Sequence, residues 1–121
     1  MYRYYNSNPN NSNIDDCTIR ALSVAEGITW DEAYDLLSES ARDLGLMMSS
    51  VEAIEEFLDM RYKRVPIYEE TVGEFIYNHP KGTYLITMPG HITVLKDKGN
   101  YNVNYDTFNS KDRPIWNAWR V

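Results

Sequence analysis

The stretch Asp15-Asp16-Cys17-Thr18-Ile19-Arg20-Ala21-Leu22-Ser23-Val24-Ala25-Glu26-Gly27 decides how this chain is built. It carries the only cysteine, directly after two carboxylates of a residue type that accepts the unpaired N–H groups of a helix's first turn. With Asp15 or Asp16 as the cap, Cys17 falls in that first turn, where the helix dipole favours a thiolate. Cys17, Ala21, Val24 and Ala25 share one helical face, and Ile19 and Leu22 lie on another. A helix that is apolar around most of its surface is a buried one, and Gly27 supplies the glycine that ends it. The expectation is a thiol at the mouth of a helix that runs into the core. Such a cysteine is either a nucleophile or a small inert hydrophobe, and its neighbours decide which.

The 121 residues make one domain, 1–121, large enough for a core without metal or disulfide support. A single cysteine permits no internal disulfide. No apolar run approaches the ~18 residues of a membrane span, and Met1–Asn6 lacks the apolar segment of a signal peptide. These patterns predict a soluble cytoplasmic protein with no membrane association. The net charge of −6 argues against nucleic acid as a partner, because such binders need basic charge to displace counterions. Residues 1–60 carry twelve acids and three bases, residues 61–121 six acids and nine bases. The acidic half is also the helical half, so the charge describes solvated helix faces or a docking surface for a basic protein partner.

Residues 1–13 read as an irregular arm, five of residues 6–13 being asparagine. Asn11 and Asn13 lie close enough to Cys17 in sequence to be candidate oxyanion donors. Three more helices announce themselves by capping boxes. Thr29-x-x-Glu32 opens one that runs to about Arg42, with Ile28 and Ala33 as a hydrophobic staple. Ser49-x-x-Glu52 opens the next, with Val51, Ile54, Phe57 and Leu58 on its buried face. Thr71-x-x-Glu74 opens a short one closed by Asn78-His79-Pro80. The run from Leu44 to Met48 reads as a packed turn, with Met47 and Met48 as core filler.

From Gly82 the period changes from helical to extended. Thr83 to Met88 and His91 to Lys96 read as strands about a Pro89-Gly90 turn. Tyr101 to Asp106 alternates strictly, with Asn102, Asn104 and Asp106 on one face. Ile115 to Val121 reads as a last strand, and Arg61 to Ile67 as an edge strand because of Pro66. The layout is α+β: a helical N-terminal half with a buried central helix packed on a C-terminal antiparallel sheet.

His91 opens one strand, after a glycine that allows close backbone approach, and Asp106 ends the next. Antiparallel pairing makes them cross-strand neighbours at one end of the sheet. A histidine held by a carboxylate is an oriented base, and it needs only a nucleophile in reach. Cys17 is the one candidate, with Asn104 as the rival to Asp106 for the third position. His79, beside Pro80 in a turn, takes no role. Arg20, one turn beyond Cys17, pairs with a nearby acid and anchors the helix, or meets a substrate carboxylate.

The segments Asp16-Cys17-Thr18-Ile19-Arg20-Ala21-Leu22, Gly90-His91-Ile92-Thr93-Val94-Leu95 and Tyr105-Asp106-Thr107-Phe108-Asn109-Ser110 resemble, in order and spacing, the papain-like cysteine peptidase superfamily in its compact bacterial and phage form. The resemblance runs from about Asp15 to the end of the chain. It implies a papain-like fold and a thiol hydrolase acting on a peptide, isopeptide or related amide bond. Cys17 would be the nucleophile, His91 the base and Asp106 the orienting residue, with a peptide or protein as substrate and no cofactor. For a phage-encoded chain the compartment would be the host cytoplasm. Two features depart from the larger papain-like enzymes. Their tryptophan and glycine frame around the cysteine is absent. No glutamine precedes Cys17, which leaves an upstream asparagine or the Cys17 backbone N–H as oxyanion donor. Asp15 and Asp16 also oppose a thiolate by charge unless they face away as caps.

The alternative reading is a non-enzymatic intracellular binding or inhibitor protein of phage type, which uses its acidic helices and exposed tyrosines on the same fold. A metal site has the least support, because the sequence offers no CxxC or HxxxH spacing.

Overall fold

The helical half forms where its start and stop signals stand. In the computed structural model, which describes residues 1–12 and 14–121, α1 spans Cys17–Glu26 and ends at Gly27 with a φ of 66°. That left-handed backbone is cheap only for a residue without a Cβ. Thr29 opens α2 (Trp30–Leu44) with a complete capping box, in which its hydroxyl accepts from the Glu32 N–H and the Glu32 carboxylate accepts from the Thr29 N–H. Thr71 caps α4 (Val72–Asn78) by accepting from the Glu74 N–H, but the Glu74 carboxylate accepts from the Glu70 N–H, so the expected box is half formed.

One start signal is displaced. Ser50, not Ser49, caps α3 (Val51–Arg61), accepting from the Ala53 N–H. Val51 thereby becomes the first residue of α3 and is 61% exposed rather than buried, whereas Ile54, Phe57 and Leu58 stay on the core side. The turn before it holds Met48 against the core but leaves Met47 74% exposed, so only one of the two methionines is core filler.

Six strands form one sheet, in the order β1-β5-β4-β3-β6-β2. They are β1 (Tyr2–Tyr4), β2 (Lys63–Val65), β3 (Tyr84–Met88), β4 (His91–Asp97), β5 (Asn102–Asp106) and β6 (Asn117–Arg120). β2 lies at an edge, as Pro66 requires. The sheet is mixed, which corrects the antiparallel expectation: β1 runs parallel to β5, with Tyr4 beside Asp106. Residues 2–4 are therefore not part of an irregular arm. Tyr2 and Tyr4 are strand formers, and the free edge of β5 gives their backbone its partners.

The sheet is covered on both faces. On one, Leu22 and Ala25 of α1, Ala33 and Leu37 of α2 and Phe57 and Leu58 of α3 pack on Leu85, Ile92, Val94 and Trp119. On the other, Val72 and Phe75 of α4 meet Tyr84, Ile86, Met88 and Leu95. This two-sided cover buries the polar row of β5, where Asn102, Asn104 and Asp106 are all under 6% exposed. Asn102 donates to the His79 and Gly82 carbonyls, and Asn104 to Thr93 Oγ1 and the Val94 carbonyl. Among the described residues no helix is long and apolar enough to cross a membrane.

Leu22 is 1% exposed in the larger core. Leu22→Ala is expected to cost about 2–5 kcal/mol, and Val51→Ala to stay within about 0.5 kcal/mol, as surface changes usually do. Urea unfolding of both variants, read at unchanged m-value, checks the assignment of the two faces.

Candidate active site

Cys17 is the first residue of α1 and is half-buried. Asp16 stands at the cap position without capping, which corrects the sequence expectation. Its carboxylate is taken by Arg20 Nε at 2.7 Å, Trp30 Nε1 at 2.8 Å and Asn8 Nδ2 at 3.1 Å. A buried carboxylate needs strong donors to offset its desolvation, and a guanidinium one turn along supplies them better than a neutral N–H. Among the described residues no side chain takes the N–H groups of Cys17 or Thr18, so the positive end of α1 is left open beside the thiol.

His91 opens β4 after Gly90, whose φ of 69° turns the chain out of β3. A Cβ at Gly90 would meet nothing within 4 Å. The glycine therefore serves the turn conformation and not a close backbone approach. The β4–β5 register sets Val94 opposite Tyr105, which places Asp106 beside Thr93 and diagonal to His91 rather than directly across from it. The imidazole spans that diagonal, with His91 Nε2 lying 2.7 Å from Asp106 Oδ2. Thr93 Oγ1 donates to the same oxygen at 2.6 Å. Arg20 Nη1 at 3.3 Å and the Thr107 N–H at 2.7 Å donate to Oδ1. With Nε2 engaged, Nδ1 is the ring nitrogen left to interact with the Cys17 thiol, which lines the same cleft.

The three side chains thus meet at the end of the sheet where α1 begins. Asn104 does not compete for His91, because its amide is spent on Thr93 and Val94. Asn11 is exposed and lies outside the cleft that Cys17 and His91 line, and Asn13 lies outside the described residues. His79 bonds the Phe75 carbonyl and stacks on the Phe75 ring, away from the site.

Electrostatics favour a charged pair. Burial alone would push the Cys17 thiol up. The neighbouring His91 imidazole with its charge and the Ile92 backbone N–H together hold it below its ordinary value, with Asp15 pulling the other way. Burial would likewise lower His91, but its bond to Asp106, the neighbouring Cys17 and the charges of both raise it to about 9. Asp106 is kept low against its own burial by His91, Thr93 and Thr107. The adjacent acids therefore act as foreseen only in part. Asp15 opposes the thiolate, whereas Asp16 faces inward among donors.

Cys17 and His91 open onto a cleft of about 420 Å³ between the helices and the β3–β4 turn. Its walls are chiefly apolar, with Trp30 stacked on Tyr34 at 5.5 Å, together with Leu37, Met48, Ile54 and Trp116. Asp15, Asp16 and Glu55 are its acidic residues, Asp16 with its carboxylate bonded inward, and no lysine or arginine lines it. Among the described residues no group of three or more His, Cys, Asp or Glu side chains is placed to hold a metal ion.

Several contributors were not legible as site residues. Thr93 and Asn8 are small polar residues in a strand and an asparagine-rich run, with no pattern to mark them. Phe108, whose ring lies 4.6 Å from that of His91 and is stacked in turn by Arg113, follows Asp106 by two residues without any spacing signal. Trp30 opens α2 and carries no signal beyond that helix.

Two pH effects follow. The His91 imidazole should titrate near 9 by NMR, and Asp106→Asn should lower that midpoint by more than about one unit, a change of about 1.4 kcal/mol in the protonation equilibrium. Because the folded value is raised, His91 contributes stability that is complete below about 6.5 and lost as pH rises through about 9. In the wild type the lowered thiol opposes that loss, because folding releases a proton from Cys17 while it takes one up at His91. Cys17→Ala should therefore lose stability from neutral pH upward more steeply than the wild type, as read by denaturant unfolding at successive pH values. Asp106 has the opposite sign: its stabilisation is present above its ordinary range near 3.8 and fades as pH falls through its lowered folded value.

Comparison with protein-family models, with curated proteins and with solved structures gave no match to this chain.

Proposed function

We propose that this protein is a thiol hydrolase of papain-like type that cleaves a peptide, isopeptide or related amide bond. The observation that carries the reading is the placing of Cys17 beside His91 on the wall of an open apolar cleft, with His91 Nε2 held by Asp106. A thiolate next to an imidazolium is a competent nucleophile, and a carboxylate on the far ring nitrogen fixes the tautomer and orientation of the base.

In this mechanism Cys17 Sγ attacks the carbonyl carbon, and the carbonyl π electrons move onto oxygen. As that tetrahedral species collapses, the C–N bond breaks and His91 gives its proton to the departing amine. A thioester remains on Cys17. His91, now neutral, takes a proton from water, and the hydroxide attacks the thioester carbonyl. The second collapse releases a carboxylic acid and restores the thiolate and imidazolium. The oxyanion would be held by the open N–H groups at the start of α1, aided by the helix dipole. The apolar walls suit a bulky uncharged or aromatic side chain on the acyl portion of the substrate.

A test uses a library of short peptide amides with each variant checked for folding. Cys17→Ala should abolish hydrolysis without unfolding the chain. Asp106→Ala should lower turnover by about 10² or more, by analogy with other base-orienting residues, and Asp106→Asn should cost less because an amide oxygen still accepts from the imidazole. Asn104→Ala should cost less than Asp106→Ala. Slow, His91-independent labelling of Cys17 by a thiol reagent at neutral pH would instead favour a binding protein on this scaffold.

A further inference from the structure

Arg20 lies between two carboxylates that belong to opposite ends of the site. Its Nε donates to Asp16 Oδ1 at 2.7 Å, and its Nη1 to Asp106 Oδ1 at 3.3 Å and Thr107 Oγ1 at 3.2 Å. Its own side chain is 12% exposed, and those of Asp16 and Asp106 are 2% and 4% exposed. Asp16 precedes the nucleophile on α1, and Asp106 orients the base from β5. One guanidinium therefore ties the start of the nucleophile's helix to the end of the strand behind the base.

We infer that Arg20 is a positioning residue that favours the Cys17 thiolate at neutral pH, by offsetting both buried carboxylates and fixing the helix against the strand. This rests on the hydrolase reading of the same site. The charged groups around Cys17 are Asp15 and Asp16 before it, Arg20 on its own helix, His91 on β4, Asp106 on β5 and Glu55 across the cleft. With the pair ionised, Asp16, Asp106 and Cys17 contribute three negative charges at the inner side, and Arg20 and His91 two positive ones. Removing Arg20 would leave Asp16 uncompensated one residue from the sulfur, and a like charge at that range disfavours the thiolate. Lysine would keep the charge. Its ammonium is a point without a planar fork and cannot span both carboxylates as the guanidinium does.

The test is iodoacetamide alkylation of Cys17 from pH 5 to 10 in the full chain, compared for wild type, Arg20→Lys, Arg20→Gln and His91→Ala, with folding checked by circular dichroism. Both Arg20 variants are expected to react about tenfold more slowly at pH 7, with the acid limb moved up by about one unit. At pH 10, where any accessible thiol is ionised, they should lie within about twofold of wild type. That pairing separates lost ionisation from lost access, which a merely structural role would not do. A folded Arg20→Lys whose profile superimposes on wild type overturns the inference. Where a single variant does not fold, Asp16→Asn/Arg20→Gln removes the guanidinium together with one of its carboxylates. It too should slow at pH 7, because Asp106 loses a partner, and wild-type behaviour from it overturns the inference. His91→Ala keeps the two readings apart. If it is slow while the Arg20 variants match wild type, only the role of Arg20 fails. If it also matches wild type, the thiol–imidazole pair and the inference fail together.

Discussion

The rest of the site depends on one buried carboxylate. Asp106 is 4% exposed and ionised, a state that costs several kcal/mol unless donors surround it. Its donors come from three separate segments: Arg20 on α1, His91 and Thr93 on β4, and the Thr107 N–H just beyond β5. Its carbonyl is held as well, by the Tyr2 hydroxyl and the Tyr5 N–H at the β1 edge. Satisfying this one group fixes the relative positions of α1, β1, β4 and β5. The geometry that would serve catalysis is thus also the geometry that folding must reach to bury the charge.

The second constraint is the separation of two neighbouring acids. Asp15 is exposed and faces the cleft, whereas Asp16 is turned inward onto Arg20, Trp30 and Asn8. If both carboxylates faced the thiol, the thiolate would sit beside two like charges. Folding one of them back leaves the helix start uncapped among the described residues. An uncapped start costs stability, commonly about 1 kcal/mol. Here it also keeps N–H donors available beside Cys17, so the loss falls where open donors are of use.

The sequence made the helix starts at Thr29 and Thr71, the αL stop at Gly27 and the approach of Cys17, His91 and Asp106 legible, because each is written in short-range spacing. What it hid is long-range. β1 pairs with a strand about a hundred residues away, and a three-residue parallel edge has no local signature. Two consecutive serines left the start of α3 ambiguous, since either hydroxyl can cap, and Val51, the first residue of the helix, is exposed although its spacing to Ile54 and Leu58 puts it on their stripe. The diagonal between His91 and Asp106 could not be read either, because register across a turn depends on how many turn residues pair. Asn104 looked equivalent to Asp106 on strand alternation alone, and only the hydrogen bonds to Thr93 and Val94 separate them.

Cys17 has two sides, and they differ in solvent. Toward the cleft it meets about 420 Å³ of open, largely apolar space. Behind it, among Arg20, Thr93 and Asp106, is a space of only about 10 Å³, roughly the minimum for one water. The groups that set the charge of the pair therefore act through protein rather than bulk water. Coulomb interactions there are several-fold stronger than at the surface. Fixed dipoles and charges so placed need no rearrangement when charge develops at the sulfur or the imidazole. Thr93 bonded to Asp106, with Asn104 bonded to Thr93 in turn, extends that fixed environment one step further into the sheet. Asp106 and Asn104, with Thr93, thus form the inner wall of the site, whereas Asn102 is spent on the His79 and Gly82 carbonyls at the other end of the strand.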